Sequence, residues 1–223
     1  MSVVVREVTN PSEAELAQYT KVLAEAFGYQ FFGTALGGDK SLQEPTLLAQ
    51  INAALVNGEG EVHVAELPEV GVVGVAVWFG PGQKFLASEA QHKAGWDQVM
   101  ERLPAEYKEW WDTFLVDYDA LVEKSLGPGV KVASYHLQLL GTAPDHQRKG
   151  VAKALTQYGD AKARATGVSS VLETVGPTNV SIYKALKYEV AGSGPIKVPP
   201  PAAGGSFEMS VIIKHTEREG LQA

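Results

Sequence analysis

The residues best able to do chemistry lie in the second half of the chain. Gln147-Arg148-Lys149-Gly150-Val151-Ala152 stands between a strand pattern and a helix pattern. The first N–H groups of a helix have no partner within it and carry partial positive charge, so a helix start can hold a phosphate. Gly150 would let the backbone approach such a ligand, and Arg148 and Lys149 add cationic charge. One glycine in a strand-loop-helix unit also describes an ordinary connection. Glu173 is a carboxylate in a run of Val, Leu and Thr. There it must be paired or face a wet cleft, so a structural ion pair and a proton acceptor are both open. His136 is a second titratable group in a strand pattern, where a lone histidine is more often satisfied structurally. Asn179 and Tyr183 are one helical turn apart and share a face. Alone, Tyr183 also reads as a core ring and Asn179 as a helix cap.

These groups need elements to hold them. Tyr135–Thr142 reads as a buried strand closed by Ala143-Pro144. Residues 150–164 read as a helix, with Val151, Ala154, Leu155 and Tyr158 at helical spacing. Residues 171–174 read as a further strand. Upstream, residues 3–8 are strongly β-branched and predict the first strand. Ser12 and Glu15 form a capping box, after which Leu16, Tyr19, Leu23, Ala26 and Phe27 make one apolar face up to Gly28. The glycine-rich stretch 29–39 reads as a loop. A second helix starts near Pro45 and stops at Asn57-Gly58. Residues 61–66 and 72–79 predict a hairpin of two strands.

About fifty residues then separate the third strand from the fourth, mostly with helical pattern. From Pro104, the positions Tyr107, Trp110, Trp111, Phe114, Leu115, Tyr118, Leu121 and Val122 make a wide apolar stripe that ends at Gly127-Pro128-Gly129. Most of these rings read as core, with one or two free to wall a pocket. Residues 189–191 start a strand, 192–205 read as a long Gly- and Pro-rich loop, and Ser206–Lys214 alternates as a half-buried strand. The end of the chain, 216–223, reads as a disordered tail.

Gln147-x-x-Gly150-x-Ala152 resembles the Arg/Gln-x-x-Gly-x-Gly/Ala signature of the GNAT superfamily of N-acetyltransferases. A second block agrees: Leu172-Glu173-Thr174 followed by Asn179-x-x-x-Tyr183-x-x-Leu186-x-Tyr188. Together the blocks are most similar to the puromycin N-acetyltransferase-like branch, which has a comparable insertion. The resemblance covers about 135–190 in motif and the N-terminal half in layout. It implies a mixed α/β fold: a central, mostly antiparallel sheet flanked by helices, with a helical insertion between the third and fourth strands. One domain would span 1–215, with the insertion at about 83–128.

The resemblance also implies a reaction: direct acetyl transfer from acetyl-CoA to an amine. Gln147, Arg148, Lys149, Gly150, Val151 and Ala152 would hold the pyrophosphate. The backbone of Leu140, Gly141 and Thr142 would pair with pantetheine, although Gly141 stands where the family usually has a side chain. Asn179 would contact the cofactor. Tyr183 would protonate the leaving thiolate, a task that suits a phenol because it stays protonated near neutral pH. Glu173 would accept the proton of an ammonium acceptor, with His136 or water as alternatives. The preferred acceptor is a small-molecule amine. A protein lysine or N-terminal acetyltransferase is the alternative, and a catalytically inactive acyl-CoA-binding module is the second.

Composition sets the remaining bounds. Net charge is -7, which disfavours nucleic acid as a partner. There is no Cys, which removes disulfides, thiolate metal sites and cysteine nucleophiles. The five histidines are too scattered along the sequence to suggest a metal. Phosphate-loop, Gly-x-Ser-x-Gly and His-Glu-x-x-His motifs are absent. With no long apolar run and an N-terminus that reaches charge early, the expectation is a cytoplasmic protein without a membrane span, monomeric or homodimeric.

Overall fold

Val4–Glu7 (β1), Glu61–Leu67 (β2), Gly71–Phe79 (β3), Tyr135–Thr142 (β4), Ser170–Val175 (β5), Glu189–Lys197 (β6) and Ser206–Lys214 (β7) form one sheet in the computed structural model. It describes residues 3–28, 31–201 and 204–216. The strand order is β1-β2-β3-β4-β5-β7-β6. Every neighbouring pair is antiparallel except β4 and β5. A parallel pair needs a crossover, and helix α7 (Val151–Ala165) supplies it.

The helices cover both faces. Helix α1 (Glu13–Phe27) begins with the expected capping box: Glu15 N–H donates to Ser12 Oγ at 3.3 Å and Ser12 N–H to Glu15 Oε2 at 2.9 Å. Helix α3 (Gln43–Leu55) carries Pro45 in its first turn. With the insertion, these helices enclose a core that includes Tyr19, Leu23, Ile51, Val77 and Trp111. On the other face α7 and α8 (Pro177–Ala185) cover Trp78, Tyr135, Leu137, Leu172 and Ile212. The contact between α7 and β3 is close. A Cβ at Gly159 would lie 2.4 Å from Trp78 Cζ2, and one at Gly74 would lie 2.5 Å from Val151 Cγ1. Two glycines therefore let the helix lie on the strand, and this fixes where α7 begins relative to the end of β4.

Two stretches differ from their sequence reading. Within 29–39, read as a loop, Phe31–Ala35 forms a short helix (α2), and residues 29 and 30 lie outside the described residues. The turn delivers Phe32, Ala35 and Leu36 into the core, each no more than 5% exposed. The stretch 192–205, also read as a loop, is strand β6 as far as Lys197. Its glycines are packing residues: a Cβ at Gly192 would meet Ser125 Oγ at 2.4 Å, and one at Gly194 would meet Leu121 Cδ1 at 2.9 Å. The expected tail lies outside the described residues beyond Thr216.

The insertion consists of α4 (Glu89–Gln91), a π-type turn at His92–Trp96, α5 (Asp97–Arg102) and the long α6 (Ala105–Leu126). Indole and phenol donors anchor α6 to distant segments. Trp111 Nε1 donates to Ala35 O at 3.0 Å, Trp110 Nε1 to Lys197 O at 3.1 Å, and Tyr107 Oη to Pro200 O at 2.9 Å. Buried aromatic donors are expected to find partners in this way. The helix thus ties α2 to the β6–β7 connection.

Candidate active site

The two parallel strands part soon after they meet. β4 and β5 pair only at Tyr135–Ser170, His136–Val171 and Leu137–Leu172. Beyond that point β4 follows β3 to Thr142, and β5 follows β7 to Val175. A cleft opens between them, edged on one side by the β4 backbone from Gln138 to Thr142. The divergence coincides with a β-bulge. Trp78 faces Leu137 and Val77 faces Leu139, so Gln138 is an extra residue on β4. A bulge bends its strand and shifts side chains to the other face. Leu137 accordingly joins the core under α7, whereas Leu139 joins the core under α1. Gln138 Nε2 donates to Gln50 Oε1 of α3 at 3.0 Å.

At the mouth of the cleft, β4 runs into the loop read from the sequence as a phosphate site. After a 3₁₀ turn at Pro144–His146 the chain passes Gln147, whose Nε2 donates to Thr142 O at 3.3 Å. Arg148 (φ 60°) and Gly150 (φ 86°, ψ 2°) adopt left-handed conformations, and α7 begins at Val151. The glycine serves this dihedral rather than crowding, since a Cβ there would meet nothing within 4 Å. The first bond of the helix is Ala154 N–H to Gly150 O at 2.9 Å, so the N–H groups of Val151, Ala152 and Lys153 precede it. No side chain caps them, and Gln147, Arg148 and Lys149 are exposed around them. These groups suit an anion such as a phosphate, and the edge of β4 beyond its pairing with β5 suits an extended chain.

Gly141 lacks a side chain for a local reason. A Cβ there would meet Leu23 Cδ2 at 2.8 Å and Ala26 Cβ at 3.0 Å, because α1 crosses this part of β4. Its backbone keeps its pairing with Val75 of β3.

Tyr183 lies on the α7 side of the sheet. It is half-buried, packs with Leu140 against the same core, and meets Tyr188 edge-on at 5.7 Å. Among the described residues its hydroxyl makes no hydrogen bond, and burial raises its pKa, so it stays a neutral phenol. Asn179, one turn earlier, donates from Nδ2 to Val175 O at 3.1 Å and closes the start of α8 onto the end of β5.

Glu173 lies on the opposite face, immediately after the last residue of β5 paired with β4. It is the centre of a buried polar cluster. His136 Nε2 is 2.8 Å from Glu173 Oε2, Tyr118 Oη donates to the same oxygen, and Lys131 Nζ lies 3.9 Å from Oε1. Lys131 also donates to Tyr118 Oη at 2.6 Å. Burial alone would raise the pKa of Glu173. The positive charge of Lys131 and the contacts with His136 and Tyr118 outweigh it and hold the carboxyl at about 2. Burial lowers the pKa of His136, and Lys131 lowers it further against the pull of Glu173, so the imidazole is neutral near neutral pH. A carboxylate this acidic accepts protons poorly, and Glu173 is an ion-paired group as well as a neighbour of the cleft. Sequence reasoning did not find Lys131 or assign chemistry to Tyr118. A lysine between two turns and a tyrosine in an apolar stripe give no signal of meeting.

Rings on α6 lead to this cluster. Trp110 and Phe114 stack at 5.0 Å and 29°, and Phe114 and Tyr118 at 5.9 Å and 21°. Trp110 is buried, whereas Phe114 and Tyr118 are half-buried. Elsewhere the fold gathers residues that looked scattered: Glu7, Glu61 and His63 bring ligand atoms within 4.8 Å of one another. Lys162 Nζ already bridges the two carboxylates, 2.6 Å from Glu61 Oε2, so a lysine supplies the cation there. Among the described residues no helix is long and apolar enough to cross a membrane.

No protein-family model matches the sequence. Solved structures do resemble the chain. One is a Corynebacterium glutamicum protein described as histone acetyltransferase HPA2 and related acetyltransferase, at 20% identity, over 97% of this chain and 98% of that one, with a TM-score of 0.58. Another is Drosophila melanogaster polyamine N-acetyltransferase, at 15% identity over 96% and 100%, with a TM-score of 0.59. A third is a Salmonella typhimurium acetyltransferase solved with acetyl-CoA, at 16% identity over 99% and 97%, with a TM-score of 0.55. These likenesses define the architecture: the chain has the GNAT fold.

Proposed function

We propose that this protein is an acetyl-CoA-dependent N-acetyltransferase that moves an acetyl group directly to the amine of a small molecule. Residues 1–215 act as one domain, with 83–128 as its insertion, and its kinship is with the puromycin-type branch. The observation that carries the proposal is the cleft between β4 and β5, which has the uncapped start of α7 at its mouth and the bulge at its apex. Tyr183 flanks it from one face of the sheet, and His136 and Glu173 flank it from the other.

In this reading the N–H groups of Val151 and Ala152, with Gln147, Arg148, Lys149 and Gly150, hold the pyrophosphate. The pantetheine arm pairs with β4 at Thr142, Gly141 and Leu140 and runs back toward Gln138. At about 3.3 Å per residue that stretch spans about 13 Å, which brings the thioester to the bulge. A backbone N–H there polarises the carbonyl. The amine lone pair forms the new C–N bond as the C–S bond breaks. The thiolate takes the hydroxyl proton of Tyr183, while the proton shed by the amine leaves toward the His136–Glu173 side. Asn179 holds α8, and with it Tyr183, against β5. The half-buried rings of Phe114 and Tyr118 wall the acceptor side. The Drosophila neighbour forms N-acetylagmatine, and a small amine of that kind suits the same role here.

Tyr183→Phe tests the reading, because it keeps the ring and removes the proton. Turnover should fall by about 10²–10⁴-fold, the usual range for acid–base catalysis. Acetyl-CoA affinity should stay within a few-fold, and stability should hardly change, because the hydroxyl removed makes no hydrogen bond among the described residues. Wild-type turnover in the variant would remove Tyr183 as the acid.

A further inference from the structure

The buried cluster contains two polar atoms without a hydrogen-bond partner among the described residues: Glu173 Oε1, which faces the charge of Lys131 at 3.9 Å, and His136 Nδ1, which faces none of the cluster's partners. Glu173 is ionised and has no proton to give, so the hydrogen in the His136–Glu173 bond is on Nε2 of the imidazole. A neutral ring with Nε2–H has a lone pair on Nδ1. That Nδ1 is buried and has no hydrogen-bond partner among the described residues. A buried acceptor without a partner is costly and uncommon in a folded protein, and here it stands on β4 beside the point where the strands part. The remaining groups hold it in this state. Tyr118 donates to the same Glu173 oxygen as His136, and Lys131, which donates to Tyr118, stands 3.9 Å from the other oxygen, so its positive charge keeps the carboxylate ionised.

We infer that His136, through Nδ1, takes the proton of the acceptor ammonium, directly or through one water, and that Glu173 is the positioning residue that fixes its tautomer. The inference rests on the transferase reading above and completes its proton balance. The N–H bond of the ammonium breaks toward Nδ1, the freed lone pair attacks the thioester carbon, and the imidazolium formed is stabilised by the Glu173 carboxylate. The imidazolium proton then passes to solvent, and the second N–H proton, made acidic once the C–N bond has formed, leaves through solvent and restores the hydroxyl of Tyr183. The charged and titratable groups around His136 are Glu173 on β5, Tyr118 and Asp119 on α6, and Lys131 ahead of β4, with Lys84 paired to Asp119.

His136→Gln is the direct variant, because its amide N–H can still donate to Glu173 while the basic nitrogen is lost. Two acceptors separate a base from a scaffold. Phenethylamine is an ammonium at neutral pH and needs a base, whereas 4-methoxyaniline is already neutral and does not. The kcat/KM for phenethylamine should fall by about 10²-fold or more, and that for 4-methoxyaniline by no more than a few-fold. Equal losses on both amines, or no loss, would overturn the assignment while leaving the transferase reading intact. No acetyl transfer by the wild type to any amine would overturn that reading, and this inference with it. Nitrogen NMR of the histidine rings gives a readout that needs no turnover. The signal lost in His136→Gln should be that of a neutral ring protonated at Nε2. A ring protonated at Nδ1, or an imidazolium at neutral pH, would refute the proposal.

Discussion

Gly150→Asp separates ligand binding from folding at the start of α7. The backbone there is left-handed, at φ 86° and ψ 2°, and Asp tolerates that region better than most residues, at a cost of about 1 kcal/mol. A Cβ would meet nothing within 4 Å, so no clash adds to the cost. A carboxylate at a helix start is favourable by about 0.3–1 kcal/mol, which offsets most of it. The denaturation midpoint should therefore barely move. Binding should respond strongly, because in the proposed mode the new charge would face two negative charges of the pyrophosphate. At about 5 Å, with the dielectric constant of water, the repulsion is about 2 kcal/mol, and more where the loop excludes water. That corresponds to about a 20–30-fold loss of CoA affinity, larger at low ionic strength. Gly150→Asn has nearly the same size without the charge and should lose much less. Calorimetric titration with CoA beside a denaturant melt reads both effects. Unchanged affinity in both variants would mean that the phosphates do not lie at this helix start.

Three further outcomes follow from the geometry. Gly159→Ala would normally stabilise a helix, but its Cβ would fall 2.4 Å from the Trp78 ring, so a denaturant melt should show a loss of about 1–3 kcal/mol. Phe114→Ala should raise the acceptor KM several-fold and leave CoA affinity unchanged by calorimetry, if the ring, stacked between Trp110 and Tyr118, walls the acceptor side as proposed. The folded pKa of Glu173 is lowered from 4.5 to about 2. Its ionised form thus contributes stability that is present above about pH 4.5 and is lost as pH falls toward 2, an amount on the order of 3 kcal/mol. The stability gap between the wild type and Glu173→Gln, measured by denaturant melts across that range, should narrow as pH falls.

How much was legible depended on whether a residue's reason lay near it in sequence. Strand β4, its Ala143-Pro144 break and the start of α7 were readable because turn chemistry and apolar spacing are local. The capping box of α1 was readable for the same reason. Strand β6 was readable only at its start, residues 189–191, and not beyond, because Gly192 and Gly194 are there to admit Ser125 and Leu121 of α6, which no local pattern reveals. The bulge at Gln138 was hidden because β4 has no clean alternation to interrupt. In the site, Gly150, Glu173 and Tyr183 could be singled out by residue type and motif. The environment that decides what Glu173 can do comes from α6, the turn before β4 and β4 itself. A carboxylate in an apolar strand announces that it needs a partner without saying which one.

The central claim is the transfer of acetyl from acetyl-CoA to an amine, and thiol release tests it most directly. The protein is incubated with acetyl-CoA and a panel of small amines, free CoA thiol is followed over time, and the acceptor mass is read afterward. The account predicts amine-dependent thiol release together with an acceptor heavier by one acetyl group, both abolished or strongly reduced in Tyr183→Phe. CoA binding without amine-dependent release on any acceptor, small molecule or peptide, would contradict it and leave an acyl-CoA-binding module in its place.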